Sequence, residues 1–176
     1  MSGGSKEHNT ISLNIASRLR SHLRGGSCSV FMADMKVNIR YIRLNNQNKN
    51  IYSGFHLGGI QRKFVGFGRA GMPIPQECIL FNRKPLYYYP DVVVTCDSDD
   101  KDRFSLSYPC LIIEVLSPST EITDKREKLI NYRDLESLQE YVLVSQDEIK
   151  VEIYRRDNQV NWLMQTLGKE DELYLN

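Results

Sequence analysis

The chain has 176 residues, of which 41% are hydrophobic and 26% charged, with a formal net charge of +1. That is enough chain to bury one core, and the balance is that of a soluble globule folded as a single domain over residues 1–176. No apolar run approaches the ~18 residues of a membrane span, and the polar start Met1 to Asn9 is no signal peptide. Cys28, Cys78, Cys96 and Cys110 include no Cys-x-x-Cys pair, and the three histidines are equally scattered, which argues against zinc and for reduced thiols in a cytoplasmic protein.

In chain order, Glu7 to Leu23 predicts an amphipathic helix: Ile11, Ile15, Leu19 and Leu23 recur every fourth residue, and Gly25-Gly26 stops it. Glu7 lies one turn before Ile11 and should point to the buried side, although an acid there also suits the positive end of the helix dipole. Ser27 to Met32 and Met35 to Tyr41 read as strands, with Asp34 shaping the turn between them. In the second, Lys36, Asn38 and Arg40 alternate with Met35, Val37, Ile39 and Tyr41, the pattern of a half-buried strand. Lys36 is either a solvated lysine or one that lines an acidic site.

Residues 43–85 break the pattern. Asparagines and glycines dominate, with Pro73, Pro75 and Pro85, which predicts an inserted, mobile lobe with only local strand pieces such as Phe64-Val-Gly-Phe or Cys78-Ile-Leu-Phe. From Lys36 to Lys84 nine Lys or Arg face one acid, Glu77, a net of +8 that leaves the rest of the chain near −7. Such a lobe suits phosphate contact as well as it suits a solvated loop.

Next come two β-branched runs, within Tyr87 to Thr95 and Tyr108 to Thr120, which predict short buried strands. Each carries a carboxylate where a core strand should have none: Asp91 opens the first and Glu114 sits inside the second. Alone, Asp91 is explained as a turn residue after Pro90, and Glu114 as the partner of a lysine. Together, on neighbouring strands, they call for a shared counter-charge, and a divalent cation supplies one. After the turn Ser117-Pro-Ser-Thr a helix follows, with Asp124 and Glu127 spaced as a capping box and Lys128 and Tyr132 on one face. The remainder predicts a meander, Glu140 to Val144, Ile149 to Arg155 and Val160 to Leu167, with a hairpin turn at Asp157-Asn158.

Taken as an ordered set, Glu7-His8-Asn9, Asp34-Met-Lys-Val37, Pro90-Asp91, Glu114-Val-Leu-Ser-Pro-Ser-Thr, Asp124-x-x-x-Lys128-x-x-x-Tyr132 and Glu140-Tyr-Val-Leu-Val resemble the Uma-two family. These are small bacterial proteins regarded as restriction endonucleases within the PD-(D/E)XK nuclease superfamily. The resemblance implies an α/β, restriction-endonuclease-like mixed central sheet flanked by the first helix and the Lys128 helix. It implies a Mg2+-dependent endonuclease acting on DNA, with Mn2+ as an alternative metal. Asp91 and Glu114, with Glu7 and the Val115 carbonyl, would hold the metal. Lys128 would steady the attacking water, and Lys36 and Tyr132 would contact substrate. The superfamily motif expects a lysine where this chain has Leu116, and Lys128 is the replacement. That departure keeps two other readings open, an inactive nucleic-acid-binding relative and an interaction module. A homodimer follows from the task of cutting two strands.

Overall fold

In the computed structural model the described residues are 4–39 and 86–175. The expected inserted lobe at 43–85, its strand pieces and most of the basic run lie outside them. Among the described residues nine strands form two sheets, accompanied by two helical stretches. Helix α1 (Lys6–His22) is capped by Ser5, whose hydroxyl accepts from the His8 amide. It ends before Gly25, whose φ of +83° is the left-handed turn that glycine takes without steric cost.

The main sheet holds, in order, β1 (Ser29–Met32), β4 (Val92–Thr95), β6 (Pro109–Leu116), β7 (Glu140–Ser145), β8 (Val151–Arg156) and β9 (Trp162–Leu167). Only β6 and β7 run parallel; every other neighbouring pair is antiparallel. A parallel pair needs a crossover, and the helical stretch between them supplies it. It runs through α2 (Glu121–Thr123), a π-helical segment (Asp124–Lys128) and α3 (Leu129–Tyr132). A smaller sheet orders β3 (Tyr87–Tyr88), β2 (Lys36–Asn38) and β5 (Ser105–Leu106).

Each face of the main sheet carries its own core. Val92, Val94, Leu111, Ile113, Val142 and Ile153 face Ala16, Ile15 and Leu19 of α1. Val93, Ile112, Leu116, Tyr141 and Leu143 face the crossover and the small sheet, through Leu129, Tyr132, Val37 and Leu106. β6 is nearly continuous in hydrophobicity because it is buried on both faces.

Two expectations are corrected. Asp124 is not an N-cap: it is 1% exposed inside the π-helical segment. The thiols are not all reduced: Cys28 and Cys96 form a disulfide, because β1 and β4 place them opposite each other.

Candidate active site

Asp91 and Glu114 meet because of how β4 and β6 are paired. Their register ends at Val92↔Ile113, one step short of Asp91 and Glu114, while β6 runs on to Leu116. The Val115 amide is left without a strand partner on that side, and the Asp91 carboxylate takes its place, with Oδ2 accepting from the amide at 2.7 Å. Asp91 thus stands at the mouth of the gap just before β4 begins. Side chains alternate along a strand, so Glu114 shares a face with Ile112 and Leu116 and points toward the crossover helix.

From that helix Lys128 reaches back. Its Nζ donates to Glu114 Oε1 at 2.9 Å and lies 2.8 Å from Asp124 Oδ1. The second contact is an ion pair without hydrogen-bond alignment, since Asp124 Oδ1 has no hydrogen-bond partner. One turn on, the fully buried Tyr132 donates its hydroxyl to the same Glu114 oxygen at 3.1 Å. Tyr88 packs edge-on against Tyr132, with centroids 5.5 Å apart, and its ring lies 5.9 Å from the Lys128 ammonium. The wall continues through Tyr141, whose hydroxyl donates to the Asp124 carbonyl at 3.1 Å. A deep, aromatic-walled cluster results, and its outer end at Asp91 is open to solvent.

Burial governs its electrostatics. Three carboxyls and one ammonium carry a net charge of −2 when all are ionised, with little water to screen them. Burial pushes the Glu114 carboxyl up to about 8, with Asp124 and Asp91 adding to the rise and Lys128 opposing it. Asp91 is also held above the usual carboxylate range, because burial outweighs its Val115 hydrogen bond and the pull of His8 and Lys128. Lys128 is raised in turn: its own burial favours the neutral amine, but Glu114 and Asp124 outweigh that. The result is a cluster short of positive charge, with Lys128 charged and Asp91 and Glu114 holding their protons tightly.

The chain matches the family described as "Uma2: Putative restriction endonuclease" over residues 61–175, well over half its length. It belongs to the Uma2 family. Among relatives, "Uncharacterized protein slr1290" from Synechocystis is 32% identical across 99% of this chain and 70% of its own length. A second Synechocystis protein, "Uncharacterized protein sll1609", is 38% identical over 48% of this chain and 50% of its own. The fold is shared with a crystal structure described as "a putative nuclease belonging to DUF820 from Anabaena variabilis", with a TM-score of 0.60, 14% identity, and coverage of 98% of this chain and 73% of that one. The restriction-endonuclease-like α/β architecture expected from the sequence is therefore the architecture of this Uma2 chain.

Not every residue singled out in the sequence lies in the cluster. Glu7 is exposed; the most buried line of α1 runs through Ser12 and Ala16, with His8 one turn before them. His8 is what α1 brings to the site, its Nε2 3.2 Å from Asp91 Oδ2. Lys36 lies over the Tyr87 ring, 4.8 Å from its centroid, in the small sheet. Val115 enters through its amide, which binds Asp91. The sequence reading missed His8 and gave Asp124 the wrong role. The signal for His8 was its i, i+4 spacing to Ser12 and Ala16, obscured because neither is strongly apolar.

A cavity of about 300 Å3 lies beyond the ends of β6 and β7, lined among others by Ser117, Glu121, Lys125, Lys150 and Glu152. Glu121 and Glu152 are already paired: Lys125 binds both, and Lys150 lies 3.4 Å from Glu152. None of the central four residues lines it.

Asp91 and Glu114 are the residues of the cluster that could hold a cation. Among the described residues no group of three or more His, Cys, Asp and Glu forms a metal cage. The Oε1 side of Glu114 and the Oδ2 side of Asp91 are already engaged. What remains suits a hard ion held by one or two carboxylates that keeps several waters, as Mg2+ does. Its two charges would balance the −2 of the cluster.

Proposed function

We propose that this Uma2 chain is a Mg2+-dependent endonuclease that hydrolyses DNA phosphodiester bonds at Asp91, Glu114 and Lys128, with Mn2+ able to replace Mg2+. One observation carries the reading: two carboxylates from adjacent strands and a lysine from the crossover helix converge in a buried cluster that lacks positive charge. A purely structural ion pair would need Lys128 and one acid, not three carboxyls around it.

Asp91 and Glu114 would hold the metal, with Glu7, exposed on α1, joining through a bridging water and the Val115 carbonyl as a neutral further ligand. When bound, the ion lowers the pKa of a coordinated water and offsets charge on the phosphoryl oxygens. The Lys128 ammonium, held on Glu114 and Asp124, would offset charge that develops on the attacking water and the phosphorus centre. Tyr132 orients Glu114 rather than substrate, since its hydroxyl is buried on that carboxylate. Lys36, in the small sheet, would contact the DNA backbone. Cutting both strands needs two sites, so the reading includes a homodimer, and it sets the protein in the cytoplasm with its DNA. Among the described residues no helix is long and apolar enough to cross a membrane.

The test is nicking of supercoiled plasmid with Mg2+, Mn2+ or chelator. Cleavage should require metal and fall at least about 100-fold in Asp91→Asn, Glu114→Gln and Lys128→Met, the scale of removing one group that stabilises charge in the transition state. Undiminished cleavage in those variants would assign the activity to a contaminant. Metal-dependent DNA binding without cleavage would favour the inactive relative.

A further inference from the structure

Three of the four cysteines meet at the end of β4 away from Asp91. Cys28 precedes β1 and Cys96 follows β4, and the register Ser29↔Thr95 sets them opposite each other as a disulfide. Cys110 joins them through an irregularity in β6. Val94 pairs with Leu111 but Thr95 pairs with Pro109, so Cys110 is an extra residue without a partner across the ladder. A bulge of this kind re-aims a side chain. In a regular strand Cys110 and Leu111 would face opposite sides; here both pack against the cluster that also holds Cys28. The Cys110 thiol lies 3.5 Å from Cys96 Sγ and 3.4 Å from the Val94 carbonyl.

We propose that Cys96 is the shared sulfur of a thiol–disulfide exchange site, bonding either Cys28 or Cys110. The Cys110 thiolate attacks Cys96 Sγ, the Cys96–Cys110 bond forms as the Cys28–Cys96 bond breaks, and Cys28 Sγ leaves with the electron pair and takes up a proton. One disulfide and one thiol exist before and after, so the step needs no oxidant. The two forms differ in what they tie together. The first staples edge strand β1 to β4. The second staples β4 to β6 and leaves β1 held to β4 by its ladder. Burial holds the Cys110 thiol above its ordinary range, so exchange quickens as pH rises and the thiolate fraction grows.

The test is disulfide mapping of the full chain by peptide mass spectrometry, after incubation without oxidant at about pH 7 and about pH 9, acid quench and alkylation of the free thiols. The expected result is a Cys96–Cys110 peptide beside Cys28–Cys96, with label moving from Cys110 to Cys28 and about tenfold faster transfer per pH unit below the thiol pKa. Oxidation of Cys28→Ser by glutathione disulfide should yield Cys96–Cys110 directly. Label that stays on Cys110 at both pH values overturns the proposal and makes Cys110 a packed, inert thiol.

Discussion

At Glu114 the proton affinity and the stability of the fold are linked. Unfolded, this carboxyl gives up its proton near 4.5; folded and metal-free, it holds it to about 8. Between those values the folded state carries the extra proton, so each rise in pH favours the unfolded chain. The contribution is complete below 4.5 and gone above about 8. The melting temperature of the metal-free protein should therefore fall from about pH 5 to about pH 8, and Glu114→Gln should flatten that fall in a thermal scan across pH. His8 offers a second prediction. Its ring nitrogen and the Val115 amide share Asp91 Oδ2. His8→Ala should weaken Mn2+ binding, read by calorimetry or electron paramagnetic resonance, by about 10-fold or more, as for other groups that orient a ligand. His8→Gln, which can carry a donor to nearly the same place, should recover most of the loss.

Elements differ in how far the sequence announced them. β4 and β6 were legible because unbroken β-branched runs bounded by Pro, Ser and Asp have few other uses, and because a charge inside such a run needs a reason. The crossover helix was legible as a helix but not in its winding. The π-helical segment turns Asp124 inward beside Lys128, whereas the spacing of Asp124 and Glu127 suggested a capping box. The buried face of α1 is wider than the sequence suggested: Ile15, Leu19 and Leu23 pack on the sheet as expected, and Ser12 and Ala16, which carry little hydrophobic signal, are buried beside them. The disulfide could not be read at all: Cys28 and Cys96 are 68 residues apart, and only the pairing of β1 with β4 joins them. At this scale Ile112→Ala is the informative change. Ile112 is fully buried in the middle of β6, two residues before Glu114. Truncation should cost about 2–5 kcal/mol in denaturant unfolding. Gly25→Ala, at a positive φ with open space around the added methyl group, should cost about 1 kcal/mol by strain alone.

For the molecule as a whole, the prediction is a coupling of metal to stability. An ion that binds only the folded chain stabilises it by mass action, and it also relieves the repulsion among Asp91, Glu114 and Asp124. Mg2+ at about 100 times its Kd should add about 2.7 kcal/mol, which for a chain of this size is a rise of several degrees in the melting temperature. Asp91→Asn and Glu114→Gln should melt at the same temperature with and without Mg2+.

The place where β4 begins gives residue 91 two jobs. Its side chain finishes a backbone ladder, so its loss would strand a main-chain donor as well as a candidate ligand. Asparagine keeps an oxygen for that donor and alanine keeps none. The two replacements should be equally dead as enzymes yet unequal as folds, with the alanine form the weaker by about 1–3 kcal/mol. Architecture and chemistry can thus be separated at one position by a choice of side chain.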